Sequence, residues 1–310
     1  TTILIVRGSI WQKEKVSDEF KQAQATFDIR LNSDHTEYYI YRLKSGANTD
    51  GATITIPDSV DGIPVTRLID RDLGFSSYNN ISKLIIGKNI SYIGTKSTIS
   101  SDETQELGDD FFSLATSLTA IEVSLENTSF SSHNGILYNK DQTVLLRYPA
   151  SKTMSNQQAS HRFVIPNTVI LIYEKAFSLN LTLEMITFGE NVETIGDEAF
   201  SGCENLVNVN FNNAPIKSIG TKAFERCHSL DTIVLPTQLE KLGSSVFMGC
   251  SQLVEIYFSN TILEIGRNCF TGCTSLETIY TDFDFVDQLK VIFAQNNEKF
   301  IDYITGISRN

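Results

Sequence analysis

Residue types able to do covalent or metal chemistry are few in this chain, and their spacing argues against such chemistry. The sequence holds five cysteines and four histidines. Cys203, Cys227, Cys250 and Cys273 follow one another at intervals of 24, 23 and 23 residues. Thiolates serve as metal ligands or disulfide partners, and either role requires the side chains to converge. If the four cysteines occupy one position of a repeating unit, stacked strands set neighbouring copies about 4.8 Å apart. Their side chains then point the same way and cannot reach the roughly 3.8 Å Cβ spacing of a disulfide. They read as free, buried thiols. Cys269 stands where Ala199, Ala223 and Val246 stand in other units, a small core position, so Cys269 and Cys273 are not a ligand pair. His35, His133, His161 and His228 are scattered and form no His-Glu-x-x-His pattern, which leaves them surface or capping roles. No nucleophile elbow, phosphate loop or dinucleotide fingerprint appears. With 37 Asp and Glu residues, a pair of carboxylates somewhere is expected by chance. The chemistry implied is that of a non-enzyme, with no metal and no cofactor.

The elements that place these residues are set by a repeated phrase. Ile195-Gly196-Asp197-Glu198-Ala199-Phe200-Ser201-Gly202-Cys203-Glu204-Asn205-Leu206 returns in altered form at Ile219, Leu242 and Ile265. Aligned on phenylalanine, the units fall at Phe177, Phe200, Phe224, Phe247 and Phe270, with intervals of 23, 24, 23 and 23. That period lies in the leucine-rich-repeat range. So short a period means a solenoid whose units pack only on their neighbours, and chain length then stops being a guide to domain number. The segment Leu-x-x-Ile-x-Phe ends in alternation, with Val209 and Phe211 inward and Asn208 and Asn210 outward, which is the period of a half-buried strand. One such strand per unit makes a parallel sheet. Pro236 and Gly189 mark a turn ahead of the next aliphatic residues, Leu239 and Val192. After Phe211 the interval is one residue longer, and Asn212-Asn213-Ala214-Pro215 holds the extra residue. Helical turns are expected to carry the Ala-Phe pair back across the convex side.

Upstream the pattern is looser. Ile93-Gly94 opens a unit with Phe112, Leu118, Ile121 and Val123, stretched by a polar insert predicted to be a loop over 95–110. Ile81, Leu84 and Ile86 fit the strand of the unit before, while Leu73 and Phe75 compete for its phenylalanine position. Apolar runs flanking Asn139-Lys140-Asp141 predict a hairpin insert within 127–165 that projects from or thickens the solenoid. A charged amphipathic stretch from Trp11 to Ala25, then Phe27-Ile29-Leu31 and Tyr38-Tyr39-Ile40-Tyr41, predicts an N-terminal cap with a hairpin over 1–50. Phe285, Val286, Leu289, Ile292 and Phe293 fall at helical spacing and predict a C-terminal helical cap over 282–310. The solenoid itself is placed at 51–281. The fold class expected is an α/β solenoid. In it a right-handed superhelix carries a parallel concave sheet, short helical turns on the convex side, an inserted β-hairpin and terminal caps.

These residues resemble the BspA-like leucine-rich repeats, also called the Treponema pallidum type. The likeness rests on Ile-Gly-x-x-Ala-Phe-x-x-Cys-x-x-Leu across four units, on Thr55-Ile56-Pro57-Asp58-Ser59-Val60 with Gly62-Ile63-Pro64-Val65-Thr66, and on Asn134-Gly135-Ile136-Leu137-Tyr138-Asn139-Lys140. Together they cover roughly residues 51 to 281. The resemblance implies a secreted or surface-exposed protein, of the kind found in host-associated bacteria and some protists, several of which are implicated in adhesion to host matrix proteins or other cells. That family has no common catalytic residues, so none is carried over. Two departures stand out: Asn180 replaces the motif cysteine and Tyr173 the glycine of one unit.

The net charge of −12 and a pI near 4.8 speak against a nucleic-acid groove or an anionic-membrane surface, both of which need clustered Lys and Arg. No run approaches the roughly 18 apolar residues needed to span a bilayer. The first residues, Thr1-Thr2-Ile3-Leu4-Ile5-Val6, lack a signal peptide's basic start, so an exported protein would have lost its signal from this chain. Function is therefore sought on the surface. The outward strand positions form two columns, with Lys83, Ile85, Ala120 and Glu122 upstream. Downstream they continue as Met185 and Thr187, Asn208 and Asn210, Thr232 and Val234, Glu255 and Tyr257, Thr278 and Tyr280. Tyrosine is enriched at binding hot spots, and it also simply suits exposed strands. The expectation is an extracellular or cell-surface recognition and adhesion protein. It binds a host matrix or cell-surface protein, or one on a neighbouring cell, through the ten downstream residues. A spacer that displays other modules is the alternative, and carbohydrate binding is less favoured. Ligand identity, anchoring mode and oligomeric state are left open.

Overall fold

A computed structural model describes residues 17–44, 52–69, 81–94, 112, 115–152 and 161–307, so the loop expected over 95–110 and the choice between Leu73 and Phe75 lie outside the described residues. The chain is a β-solenoid of about nine turns. From residue 161 onward each turn has three faces. The first is the three-residue strand expected from the alternation, as in Met185–Thr187 paired in parallel with Asn208–Asn210. The second is a two-residue strand built on the aliphatic residue ahead of the motif glycine. Leu171–Ile172, Thr194–Ile195, Ser218–Ile219, Lys241–Leu242 and Glu264–Ile265 make one unbroken parallel ladder, begun by Val144–Arg147.

The third face corrects the expectation of helical turns. Across 161–282 there is no helix. Residues 197–203 instead make tight turns in which Ser201 N–H donates to Glu198 O (2.9 Å) and Cys203 N–H to Phe200 O (3.1 Å). The alternate amides reach the next turn: Glu198 to Thr221 O, Phe200 to Ala223 O and Gly202 to Glu225 O, at 2.7 to 2.8 Å. Left-handed residues enforce this. Lys175, Glu198, Lys222, Ser245 and Asn268 have φ of 55 to 60°, and Gly202, Gly249 and Gly272 have φ of 72 to 82°. Two such residues in one short segment are incompatible with a right-handed helix.

Packing explains the motif. Phe177, Phe200, Phe224, Phe247 and Phe270 are fully buried and stack as a column, with centroid separations of 4.7, 5.0, 5.8 and 6.0 Å. Tyr148 extends the column at one end (5.0 Å) and Phe293 at the other (5.7 Å), the latter from the helix Val286–Asn296. The motif glycine answers to backbone contact: a Cβ on Gly243 would lie 2.6 Å from Gly220 C and from Thr221 N. Tyr173 stands where the series of close-packed glycines has not yet begun.

Upstream, Ala52–Thr55, Ile81–Ile86 and Ala120–Val123 form a parallel sheet, and Tyr38–Leu43, Ile63–Ile69 and Tyr92–Gly94 form another. A helix over Asp18–Thr26, started by the Ser17 side chain accepting from Phe20 N–H (2.9 Å), leads into Phe27–Leu31, antiparallel to Tyr38–Leu43. The segments Phe130–His133, Ile136–Asn139 and Val144–Arg147 pair antiparallel and lie within the wall of the solenoid. They join two hydrophobic cores. Ile136, Tyr138 and Leu145 face the downstream core, whereas Phe130, Leu137 and Leu146 face the upstream one.

Candidate functional site

The thiols belong to the scaffold. All five are free and buried, and Cys203, Cys227, Cys250 and Cys273 donate to the carbonyls of Phe177, Phe200, Phe224 and Phe247 at 3.1 to 3.3 Å. Each thiol thus ties one turn to the turn before it. Burial pushes Cys203, Cys269 and Cys273 up to about 12, so they stay protonated and are poor nucleophiles and ligands at neutral pH. Asn180, in the first unit, does the same work with more bonds. Its amide donates to Pro149 O (3.1 Å) while its oxygen accepts from Thr182 N–H and Leu183 N–H (2.9 and 2.7 Å). Arg147 is buried as well and donates to Ser178 Oγ and to the carbonyls of Phe112, Lys175 and Ser178. Desolvation lowers it to about 10, and its role is to hold the hairpin against the first repeats. Among the described residues no group of three His, Cys, Asp or Glu is placed to hold a metal, and no helix is long and apolar enough to cross a membrane. His161 meets Glu184 at 2.6 Å on the surface, and His228 bonds Gly249 O.

What the solenoid presents outward is the three-residue strand face. The structure sets the ten candidate residues on that face in two registered blocks. Met185 lies beside Asn208 and Thr187 beside Asn210; across the next block Thr232, Glu255 and Thr278 align, as do Val234, Tyr257 and Tyr280. All ten are exposed or half-buried, because their inward neighbours Ile186, Val209, Ile233, Ile256 and Ile279 take the core. The tyrosines pack as a unit. Their rings stack at 4.5 Å with 21° between planes, and both hydroxyls donate to the Glu255 carboxylate, Tyr257 at 3.0 Å and Tyr280 at 3.4 Å. Desolvation first, and the Glu255 carboxylate second, hold the Tyr257 hydroxyl above the usual tyrosine range. The result is a rigid aromatic plate flanked by Val234, itself 59% exposed. Upstream, Lys83 closes on Glu122 (2.6 Å), so that part of the face is a self-satisfied ion pair.

One feature of this face was missed from the sequence. The three-residue strands do not form one sheet: Arg162–Val164, Met185–Thr187 and Asn208–Asn210 make one ladder, and Thr232–Val234 begins another with Glu255–Tyr257, Thr278–Asp282 and Ile304–Ile307. Between Asn208–Asn210 and Thr232–Val234 lies a cleft of about 510 Å³. The signal was present in the one longer interval, 24 residues where its neighbours have 23.

The family model for the BspA type leucine rich repeat region matches residues 151–277 with six copies. No curated protein matches the sequence. Among solved structures, the chain is similar to a leucine rich cell surface protein from Faecalibacterium prausnitzii A2-165. The two are 18% identical, with 83% of this chain and 93% of that one covered and a TM-score of 0.50. It is also similar to the pneumococcal vaccine antigen PcpA, at 17% identity, with 92% and 99% of the two chains covered and a TM-score of 0.55. At such identities the likeness is one of fold. Taken with the stacked phenylalanines and the 23-residue turn, the match shows that residues 151–277 carry BspA-type leucine-rich repeats.

Proposed function

We propose that this chain is an exported or cell-surface recognition protein that binds another protein, on a host or a neighbouring cell, through the outward columns of its three-residue strands. The observation that carries the reading is the tyrosine plate. Two aromatic rings held against each other and tethered to one carboxylate offer a large contact area with little side-chain entropy left to lose on binding. The solenoid supplies the rest, since a rigid repeated face lets many modest contacts add without ordering each one. The leucine-rich repeats of residues 151–277, a repeat type that serves protein interaction, support the class of function. The likeness in fold to a leucine rich cell surface protein of Faecalibacterium prausnitzii supports the location.

The test is a cell-surface and matrix-protein array probed with the whole chain, followed by affinity measurement on any partner found. The double change Tyr257→Ala and Tyr280→Ala is expected to weaken that partner by more than tenfold. Unchanged affinity in a variant with an unaltered melting curve refutes the plate as the site. Silence of the whole array favours the spacer reading.

A further inference from the structure

Charge is sorted by face in the repeats. The strands and the turns that follow them, at 184–191, 207–213, 231–238, 254–261 and 277–284, contain no Lys, Arg or His. The lysines and arginines between 163 and 284 are Lys175, Lys217, Lys222, Arg226, Lys241 and Arg267, and all stand on the other two faces, beside the two-residue ladder or in the tight turns. There they are interleaved with acids: Lys241 lies 3.2 Å from Glu264, Lys222 3.8 Å from Glu225 and Lys175 3.9 Å from Glu198. On the strand face Asp231 and Glu277 are exposed and Glu255 half-buried, and none of the three has a basic partner among the described residues. Basic groups return only at the upstream end, where His161 meets Glu184 (2.6 Å) and Arg162 opens the first strand.

A face serving solubility alone would mix the two signs, as the other faces do. Strands about 4.8 Å apart place Asp231 and Glu277, two strands from each other, roughly 10 Å apart, close to the Debye length of about 8 Å at physiological salt. Their potentials therefore overlap, and no lysine on the face cancels them.

Glu255 gives this field a shape. Its two oxygens accept one hydroxyl each, from Tyr257 and from Tyr280, which fixes the carboxylate and leaves each oxygen a further acceptor site. Two acceptors on one fixed carboxylate match the fork of a guanidinium. Beside Tyr257 stands Val234 and beside Tyr280 stands Thr305, both exposed and both too small to cover a ring, so a flat cation also finds aromatic surface to lie against. An ammonium would answer the charge but neither the fork nor the flat ring.

We propose that this face docks a basic surface of a partner protein, with an arginine of the partner forked onto Glu255 and packed against the tyrosine plate, and with Asp231 and Glu277 meeting further basic residues around it. The proposal rests on the recognition reading above and names the chemistry of the partner. The same field repels acidic proteins, so specificity comes from repulsion as well as attraction.

The probe is a set of fluorescent, acetylated and amidated peptides of one length that alternate glycine with arginine, lysine, citrulline or glutamate, titrated with the whole chain by polarisation. The arginine peptide is expected to bind tightest and to weaken as salt is raised. The lysine peptide should bind more weakly, and the glutamate peptide and the citrulline peptide, which keeps arginine's shape without its charge, should not bind. Glu255→Gln and the pair Asp231→Asn/Glu277→Gln should each weaken the arginine peptide by about fivefold or more. Glu240→Gln/Glu264→Gln, which removes charge from the two-residue ladder instead, should leave it unchanged. Equal binding of the arginine and citrulline peptides overturns the proposal. So do equal losses in the strand-face and ladder variants, which would reduce the effect to attraction by the net charge of −12. Tyr257→Ala/Tyr280→Ala separates the two readings. If it loses the array partner while the four peptides bind alike, the basic partner falls and the recognition reading stands; charge-selective peptide binding that it leaves intact removes the plate from both.

Discussion

Replacing Phe224 by alanine tests how the solenoid distributes its stability. The ring is wholly buried and lies between Phe200, at 5.0 Å and 2° from parallel, and Phe247, at 5.8 Å and 14°. Loss of a buried phenylalanine costs about 3–5 kcal/mol when the cavity does not collapse. Collapse is opposed here, because the backbone on either side is fixed by Phe224 N–H to Val246 O (3.0 Å) and by the Cys250 thiol on Phe224 O. Two stacked pairs are lost at once, each worth about 0.5–1.5 kcal/mol beyond area burial. The expected loss therefore sits at the upper end, about 4–5 kcal/mol. Denaturant unfolding should show a lowered midpoint with an unaltered slope. Hydrogen exchange should locate the damage: amides in the turns around Phe200 and Phe247 lose protection, while those of the upstream core, around Ile40, Leu68 and Ile93, keep theirs. A loss under about 2 kcal/mol would refute the stacked-column account. Protection falling equally in both cores would refute the nearest-neighbour one.

Three further outcomes follow from the same geometry. Gly243→Ala puts a Cβ within 2.6 Å of the backbone of the preceding turn, with no flexible side chain to yield, and is expected to cost about 1–3 kcal/mol in thermal or chemical unfolding; a neutral substitution would sink the close-approach explanation of the motif glycine. Asn180→Ala strands Pro149 O and the amides of Thr182 and Leu183, so it should destabilise by about 2 kcal/mol or more, and more than Cys227→Ala, which gives up one weak thiol bond. The buried thiols also predict an alkaline limit. A thiol that ionises near 8.5 in the unfolded chain but near 12 in the fold favours the native state below the first value, and that preference is lost as pH rises between the two. Stability should fall through this window by about 1.4 kcal/mol per pH unit for each such cysteine, and Cys203→Ala should flatten the profile; an unchanged slope would contradict the burial account.

How much of this was legible in the sequence follows from which interactions leave a period. Phe, Cys and Leu recur because each turn presents the same hole to the next, so their spacing announces the stacked column and the inward side of the strand. The two-residue strands, such as Thr194–Ile195, are too short to alternate, and the ladder they form was invisible. The convex turns looked helical because Ala-Phe is compatible with a helix, and the residues that forbid one, Glu198, Lys222 and Ser245, take left-handed angles under pressure from the inter-turn bonds and not from their own preference. Upstream, the hairpin's strands read correctly as strands, but their place inside the wall depends on Leu137 and Tyr138 facing two different cores, which alternation alone does not tell.

The candidate surface divides the same way. Outward residues were readable because burying every second residue of a strand leaves the others outside, and the structure sets Asn208, Asn210, Thr232, Val234, Glu255, Tyr257 and Tyr280 on that side. The tether of Tyr280 to Glu255 was not readable, since it depends on a diagonal reach between strands. The open ladder was readable only as an irregularity. In a solenoid every in-phase turn satisfies its backbone against its neighbours, so a strict period leaves no unpaired edge. The ladder of three-residue strands stops at Asn208–Asn210, beside the one turn that holds an added residue, while the ladder of two-residue strands runs on through the same turns. In this chain the period therefore accounts for the fold, and the residue that departs from it marks where one of its ladders stops.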